Sequence, residues 1–145
     1  RELDVALERC TTVNNALGVM LLDLNGFKVV NDNYGHSAGD DALREVARRL
    51  TSLHTRGWIC GRLGGDEFAV ICPGLDADSL AAAAKYLSGI LSGVPGGGMI
   101  ISASVGWASV KAQQTADEVI AVADAMMYSI KDEHNVIGSH RSKQR

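Results

Sequence analysis

Acidic side chains in this sequence gather beside turns. Asp23 ends the apolar run Leu17 to Leu22, and Asp66 and Glu67 follow the glycine pair Gly64-Gly65. Strand ends and hairpin tips are places where sheets present ligands. Carboxylate oxygens are what Mg²⁺ prefers, usually with bound phosphates completing its octahedron. The chemistry these residues could do together is metal-assisted handling of phosphate. Taken singly, each acid has a plainer reading: Gly-Gly-Asp makes a good turn, and Asp23 can cap a strand. The dense polar spacing after Asp23, through Lys28, Asn31, His36 and Asp40, is what sets the combination apart.

Leu3, Leu7 and Cys10 fall at helical spacing within residues 2–12, ahead of the buried strand that Leu17 to Leu22 predicts. An Asn25-Gly26 turn signal leads to a short helix over Phe27 to Tyr34. Ser37 with Asp40 three residues on resembles a capping box opening a second helix. Leu43, Val46, Ala47 and Leu50 give that second helix its core-facing stripe. Trp58 to Leu63 and Glu67 to Cys72 read as a hairpin, since Gly64-Gly65 supplies the positive φ angles of a two-residue turn. A helix over Leu80 to Leu91, a glycine-rich loop over Gly93 to Gly98 and a long strand within Met99 to Val110 follow. Val119, Val122, Ala123, Met126, Met127 and Ile130 mark a last amphipathic helix from Thr115 to about Lys131, with a final strand expected near Val136. The order β-αα-ββ-α-β-α, with a hairpin inside an alternating pattern, predicts an α/β (α+β) domain whose mixed central sheet is flanked by helices.

Residues 1–145 suit one domain, able to bury roughly 70% of the surface its unfolded chain exposes. Apolar residues at 46% and charged residues at 21% exclude the low-hydrophobicity signature of disorder. A net charge of −3 argues against a nucleic-acid polymer as partner, because neutralising many phosphates needs a clustered basic surface. Cys10, Cys60 and Cys72 are odd in number and form no CxxC pair, which points to reduced thiols in a cytoplasmic domain. No apolar run approaches the roughly 20 residues of a membrane span, so no direct membrane contact is expected.

The signature Gly64-Gly65-Asp66-Glu67-Phe68 and the pattern D-x-x-x-F-K-x-x-N-D-x-x-G-H-x-x-G-D over Asp23 to Asp40 resemble the GGDEF family of diguanylate cyclases. Ser104, Gly106, Asp124, Tyr128 and Lys131 match further positions, so the resemblance spans nearly the whole chain. It implies a fold like the palm of nucleotide polymerases and cyclases. It also implies condensation of two GTP into cyclic di-GMP and two pyrophosphates by a transient two-fold homodimer, with one GTP per half-site. Asp23, Asp66 and Glu67 are then the catalytic carboxylates. By the same resemblance Asp23 and Asp66 hold Mg²⁺, or Mn²⁺, with the Leu24 carbonyl, while Glu67 binds metal or activates the attacking 3′-hydroxyl. Backbone amides near Gly26, Phe27 and Gly64 face phosphates, Lys28 and Lys131 add positive charge, and Asn31 and Asp40 bind guanine. Outside the resemblance, Lys28 and Lys131 read as solvated surface residues and Asp40 as the third residue of a capping box. His36 reads as a turn residue, and Asp124 with Tyr128 as helix support.

The chain departs from the family pattern in four places. The family opens with Asp-x-Leu-Thr-Gly-Leu-x-Asn-Arg, whereas this chain starts at Arg1-Glu-Leu, so the domain is expected to be truncated at its N-terminus, with a sensory domain beyond. Asp132-Glu133-His134-Asn135 stands where a Gly-Arg-Asn or Gly-Lys-Asn is usual, which removes one expected phosphate-binding cation. Gly26 replaces a common aromatic. Thr55-Arg56-Gly57-Trp58 occupies the Arg-x-x-Asp positions of product-inhibited members, so no tight product binding is expected on that surface. Two functional readings follow from the resemblance: an active cyclase, or a silent GTP-binding module that signals by protein contact.

Overall fold

The computed structural model describes the backbone of residues 16–143, with Asp4, Val5, Glu8 and Arg9 before them, and side chains as far as Lys131. Of the helix expected over residues 2–12, those four residues are helical, and the remainder, Cys10 included, lies outside the described residues. The elements are β1 (Leu17–Asn25), α1 (Phe27–Thr51), a 3-10 helix (Ser52–Arg56), β2 (Ile59–Gly64), β3 (Glu67–Pro73), α2 (Ala77–Ile90), β4 (Val94–Gly96), β5 (Met99–Ser109) and α3 (Ala116–Lys143).

The strands form one sheet in the order β2-β3-β1-β5-β4. Every pairing is antiparallel, so the expected mixing of neighbouring strand directions does not occur. The hairpin explains this: β2 runs parallel to β1, but the chain folds straight back and β3 takes the place beside β1. The glycine-rich stretch is also more ordered than a loop, because Val94–Gly96 pairs with Met99–Ile101 around a turn at Gly97 and Gly98. No strand forms near Val136; α3 continues through it.

Alternation along β1 divides the core. Met20, Leu22 and Leu24 pack with Val30, Leu43, Val46, Phe68, Leu80 and Leu87 on the α1 and α2 side. Leu17, Val19 and Leu21 pack with Ile71, Val119, Ala123 and Met127 on the α3 side. Residues of odd number in β1 and β3 therefore face α3, and those of even number face α1. α3 lies close against β5 because Gly106 has no side chain: a Cβ there would sit 2.1 Å from the Ala123 carbonyl oxygen.

Helix starts differ in a way that matters for the site. Asp76 caps α2 by accepting from the Ser79 N–H at 2.8 Å. Thr115 caps α3, its hydroxyl accepting from the Glu118 N–H at 3.2 Å and donating to the Glu118 carboxylate at 3.1 Å. α1 has no side-chain cap; it begins at Gly26 with φ of 86°. Inside α1, Gly35 at φ 85° and ψ 165° breaks the helix into the two pieces the sequence predicts. The capping box expected at Ser37 is not made, since neither Ser37 nor Asp40 forms a side-chain hydrogen bond among the described residues. Arg49 ties the far end of α1 to the close of α2, donating to the carbonyls of Ile90, Ser92 and Gly93.

Candidate active site

The sheet register brings the two acidic segments together. Asp23, near the end of β1, lies opposite Glu67 of β3 on one side and Ser104 of β5 on the other. All three share the α3 face, where Lys131 donates to Asp23 Oδ2 at 2.7 Å. Asp23 Oδ1 is buried and has no hydrogen-bond partner. Asp66 sits on the hairpin tip itself. A register shift between Arg62 and Gly64 moves the turn one residue beyond the expected Gly64-Gly65, so that Gly65 and Asp66 form it. The Leu24 N–H donates to the Asp66 carbonyl at 3.3 Å, tying this tip to β1.

Electrostatics mark the same group. Burial, followed by the neighbouring Asp23 carboxylate, pushes the Asp66 carboxyl up to about 6. Glu67 is also raised, first by burial and then by the charges of Asp124 and Asp23. A cluster of carboxylates with one lysine is short of positive charge, and the orphaned Asp23 Oδ1 is an unmet demand for a cation or donor. Among the described residues no group of three or more His, Cys, Asp or Glu side chains could hold a metal ion, so a cation held by Asp23 and Asp66 would need oxygens from elsewhere as well. A hard cation such as Mg²⁺ is commonly held by one or two carboxylates plus phosphates.

Three residues beyond Asp23, the uncapped start of α1 leaves the first amides of Phe27, Lys28 and Val29 without intrahelical partners, the first intrahelical bond running from the Val30 N–H to the Gly26 carbonyl. Such a terminus attracts phosphate through its free N–H groups and the helix dipole. Asn25 stiffens this corner, its amide donating to Ser102 Oγ at 3.2 Å and its oxygen accepting from Ser104 at 3.0 Å. Further along α1, a cavity of about 380 Å³ opens beside β2, lined by Asp40, Leu43, Arg44, Cys60, Arg62 and Phe68 among others. Asn31 sits across the Gly35 break with its Oδ1 buried and unpartnered; a Cβ on Gly39 would come 1.8 Å from it.

A family model described as "Diguanylate cyclase, GGDEF domain" matches residues 1–136. The chain belongs to this family. It is 36% identical over 135 residues to the bifunctional diguanylate cyclase/cyclic di-GMP phosphodiesterase MucR of Pseudomonas aeruginosa, matching 90% of this chain but 20% of MucR. It is 32% identical over 124 residues to the diguanylate cyclase DgcP of Escherichia coli, matching 82% of this chain and 36% of DgcP. The chain thus spans a minor part of these two relatives. The crystal structure of the GGDEF domain of DgcB from Caulobacter crescentus in complex with c-di-GMP superposes with a TM-score of 0.84 at 28% identity, covering 92% of this chain and 80% of that one.

The GGDEF domain has the palm-like α+β fold expected from its signature. It brings Asp23, Asp66, Glu67 and Lys131 together, with Gly26, Phe27 and Lys28 close along the chain at the start of α1. Asp40 lies apart, on the cavity. Leu24 is buried by its side chain, and Lys28 is exposed. Asp124, read from sequence as helix support, stands near enough to raise Glu67. Arg44 and Arg62 were not singled out by sequence reasoning; the only signal for them is their position one helical turn after Asp40 and two residues before Gly64. Among the described residues no helix is long and apolar enough to cross a membrane.

Proposed function

We propose that this GGDEF domain is a diguanylate cyclase that joins two GTP into cyclic di-GMP and releases two pyrophosphates. The observation that carries the reading is the Asp23 and Asp66 pair, with one buried carboxylate oxygen unpartnered, three residues from a helix start whose amides are uncapped. Asp23 and Asp66 with the Leu24 carbonyl are the residues to hold Mg²⁺ or Mn²⁺, with Glu67 alongside. The metal supplies neutralisation of charge on the transferring phosphoryl group, the main demand of this chemistry.

The start of α1 and Lys28 hold the phosphates, which fixes the α-phosphorus for in-line attack. Each 3′-hydroxyl forms a bond to the other nucleotide's α-phosphorus as the bond to the β-phosphate oxygen breaks, and pyrophosphate carries away that electron pair. The hydroxyl proton goes to a nearby carboxylate, the role that the family resemblance gives to Glu67. Asp40 accepts from the N1–H and N2 amine of guanine in the cavity beside β2, donors that adenine lacks on that edge. One such acid pair per chain means two chains face each other about a two-fold axis, each bringing one GTP.

Incubation of the protein with GTP and Mg²⁺ tests the reading. Cyclic di-GMP is expected from the wild type and not from a folded Asp66→Asn variant. GTP binding without turnover by the wild type selects the silent module instead, and near-normal turnover by Asp66→Asn removes the acid pair from the mechanism.

A further inference from the structure

Arg62 makes a contact that no catalytic assignment requires. Its Nε and Nη2 both donate to the Gly65 carbonyl, at 3.0 and 2.7 Å, across the register shift in the hairpin. Gly65 and Asp66 share that peptide group, so the fork sets the plane from which the Asp66 side chain departs. Asp66 is gripped on its other side by the Leu24 N–H on its own carbonyl. Between those grips the backbone is intrinsically loose: Gly64 and Gly65 hold φ of 152° and 53°, and glycine loses more conformational freedom on ordering than any other residue. A bulged, glycine-tipped turn does not hold a carboxylate in one place unaided. Arg62 also lies opposite Phe68 in the register, which puts it on the α1 face, where it lines the same cavity as Asp40.

We infer that Arg62 is a positioning residue that fixes the Gly65-Asp66 turn, and with it the Asp66 carboxylate, from the wall of the cavity that contains Asp40. This rests on the reading of Asp23 and Asp66 as a metal-holding pair, but the turn itself can be followed independently of that reading. The fork matters more than the charge, because a planar guanidinium can present two parallel N–H groups to one oxygen and an ammonium cannot.

The test compares the wild type with Arg62→Ala and Arg62→Lys in three measurements. Amide hydrogen exchange at Asp66 and Glu67 follows the turn, Mn²⁺ titration without nucleotide follows the acid pair, and kcat and KM for GTP follow turnover. Exchange is expected to speed up in both variants, and Mn²⁺ affinity and kcat are expected to drop, kcat by about 10–100-fold for Arg62→Ala, as for small misplacements near the chemistry, with a smaller change in KM. Melting temperature is expected to stay near the wild-type value, since Arg62 is exposed. Wild-type exchange and kcat in Arg62→Ala overturn the inference, and so does full restoration by Arg62→Lys, which would assign the effect to charge. Faster exchange in the variants, with a wild type that binds no Mn²⁺, upholds the positioning role and overturns the metal reading of the acids instead.

Discussion

Lys131 donates to Asp23 at 2.7 Å and joins the end of the first strand to the last helix across 108 positions of sequence. Both side chains are largely buried, at 24% and 16% exposure, so the pair is well shielded from solvent. Removing the lysine leaves a carboxylate beside two other acids. The Lys131→Met variant is expected to lose about 1.5–3 kcal/mol without metal, the range for a hydrogen bond to a charged group. Divalent metal is expected to raise its melting temperature by more than that of the wild type, because the ammonium no longer competes for Asp23. Differential scanning fluorimetry with and without Mn²⁺ reads both effects, and an equal metal response in the two proteins counts against the competition.

Asp66 titrates where experiments can reach it. Its folded-state pKa of about 6 lies above its ordinary value of 3.8, so the folded chain binds the proton more tightly than the unfolded one. The stability this contributes is complete below the ordinary value and is lost as pH rises through about 6. Urea midpoints of the metal-free protein are expected to fall over that window, and the Asp66→Asn variant is expected to show a flatter profile. Mg²⁺ binding is expected to weaken below about pH 6 for the same reason, since protonation and metal compete for one carboxylate.

Gly39 is the least replaceable glycine near the cavity. A methyl group there would meet Asn31 Oδ1 at 1.8 Å, and Asn31 must turn away or the helix must shift. Gly39→Ala is expected to cost about 1–3 kcal/mol of stability, as overpacking does. It is also expected to weaken GTP binding more than it slows turnover. Calorimetric titration with GTP measures that difference, and unchanged affinity would remove Asn31 from the nucleotide site.

On the proposed function, base choice falls to Asp40. A preference for GTP over ATP of at least about tenfold follows from discrimination of about 1–3 kcal/mol per good bidentate contact. Asp40→Ala is expected to narrow the gap between the two nucleotides without altering the pH dependence set by Asp66. Equal binding of ATP and GTP by the wild type contradicts the assignment.

If the proposed turnover needs two facing chains, it depends on how often they meet. Specific activity is expected to rise with protein concentration, and to rise further when a dimeric coiled coil is fused before Arg1, because tethering can raise effective concentration to about the millimolar range. Constant activity from a protein shown by sedimentation to be monomeric would falsify the two-chain mechanism.

The fold was legible wherever one signal dominated. The run from Leu17 to Leu22, the Gly64-Gly65 hairpin and the stripe from Val119 to Ile130 each specify an element through periodicity or turn chemistry. Strand directions were not, because they depend on which strand of the hairpin reaches β1, a matter of long-range pairing. The one-residue displacement of the turn onto Asp66 was hidden for a related reason: the shift between Arg62 and Gly64 has no local signature beyond the glycines themselves. Asp23, Asp66 and Glu67 stood out as acids at turns. The Lys131 and Asp124 partnerships did not, since a helix read alone leaves such residues on its solvated face.

The parity of β1 separates two tasks that the proposed cyclase must combine. Asp23, Glu67, Asp124 and Lys131 belong to the α3 face, whereas Asp40 and its cavity belong to the α1 face, with one strand as the partition. On the proposed function, substitutions at α1 positions that line the cavity can retune which base is accepted while Asp23, Glu67 and Lys131 keep their surroundings, whereas Arg62 of β2 reaches from the cavity wall to the turn that carries Asp66. Drift in recognition and drift in reactivity are thereby separated except at Arg62, so a descendant of this chain could change the nucleotide it favours by mutations on the α1 side of the sheet that spare that one side chain.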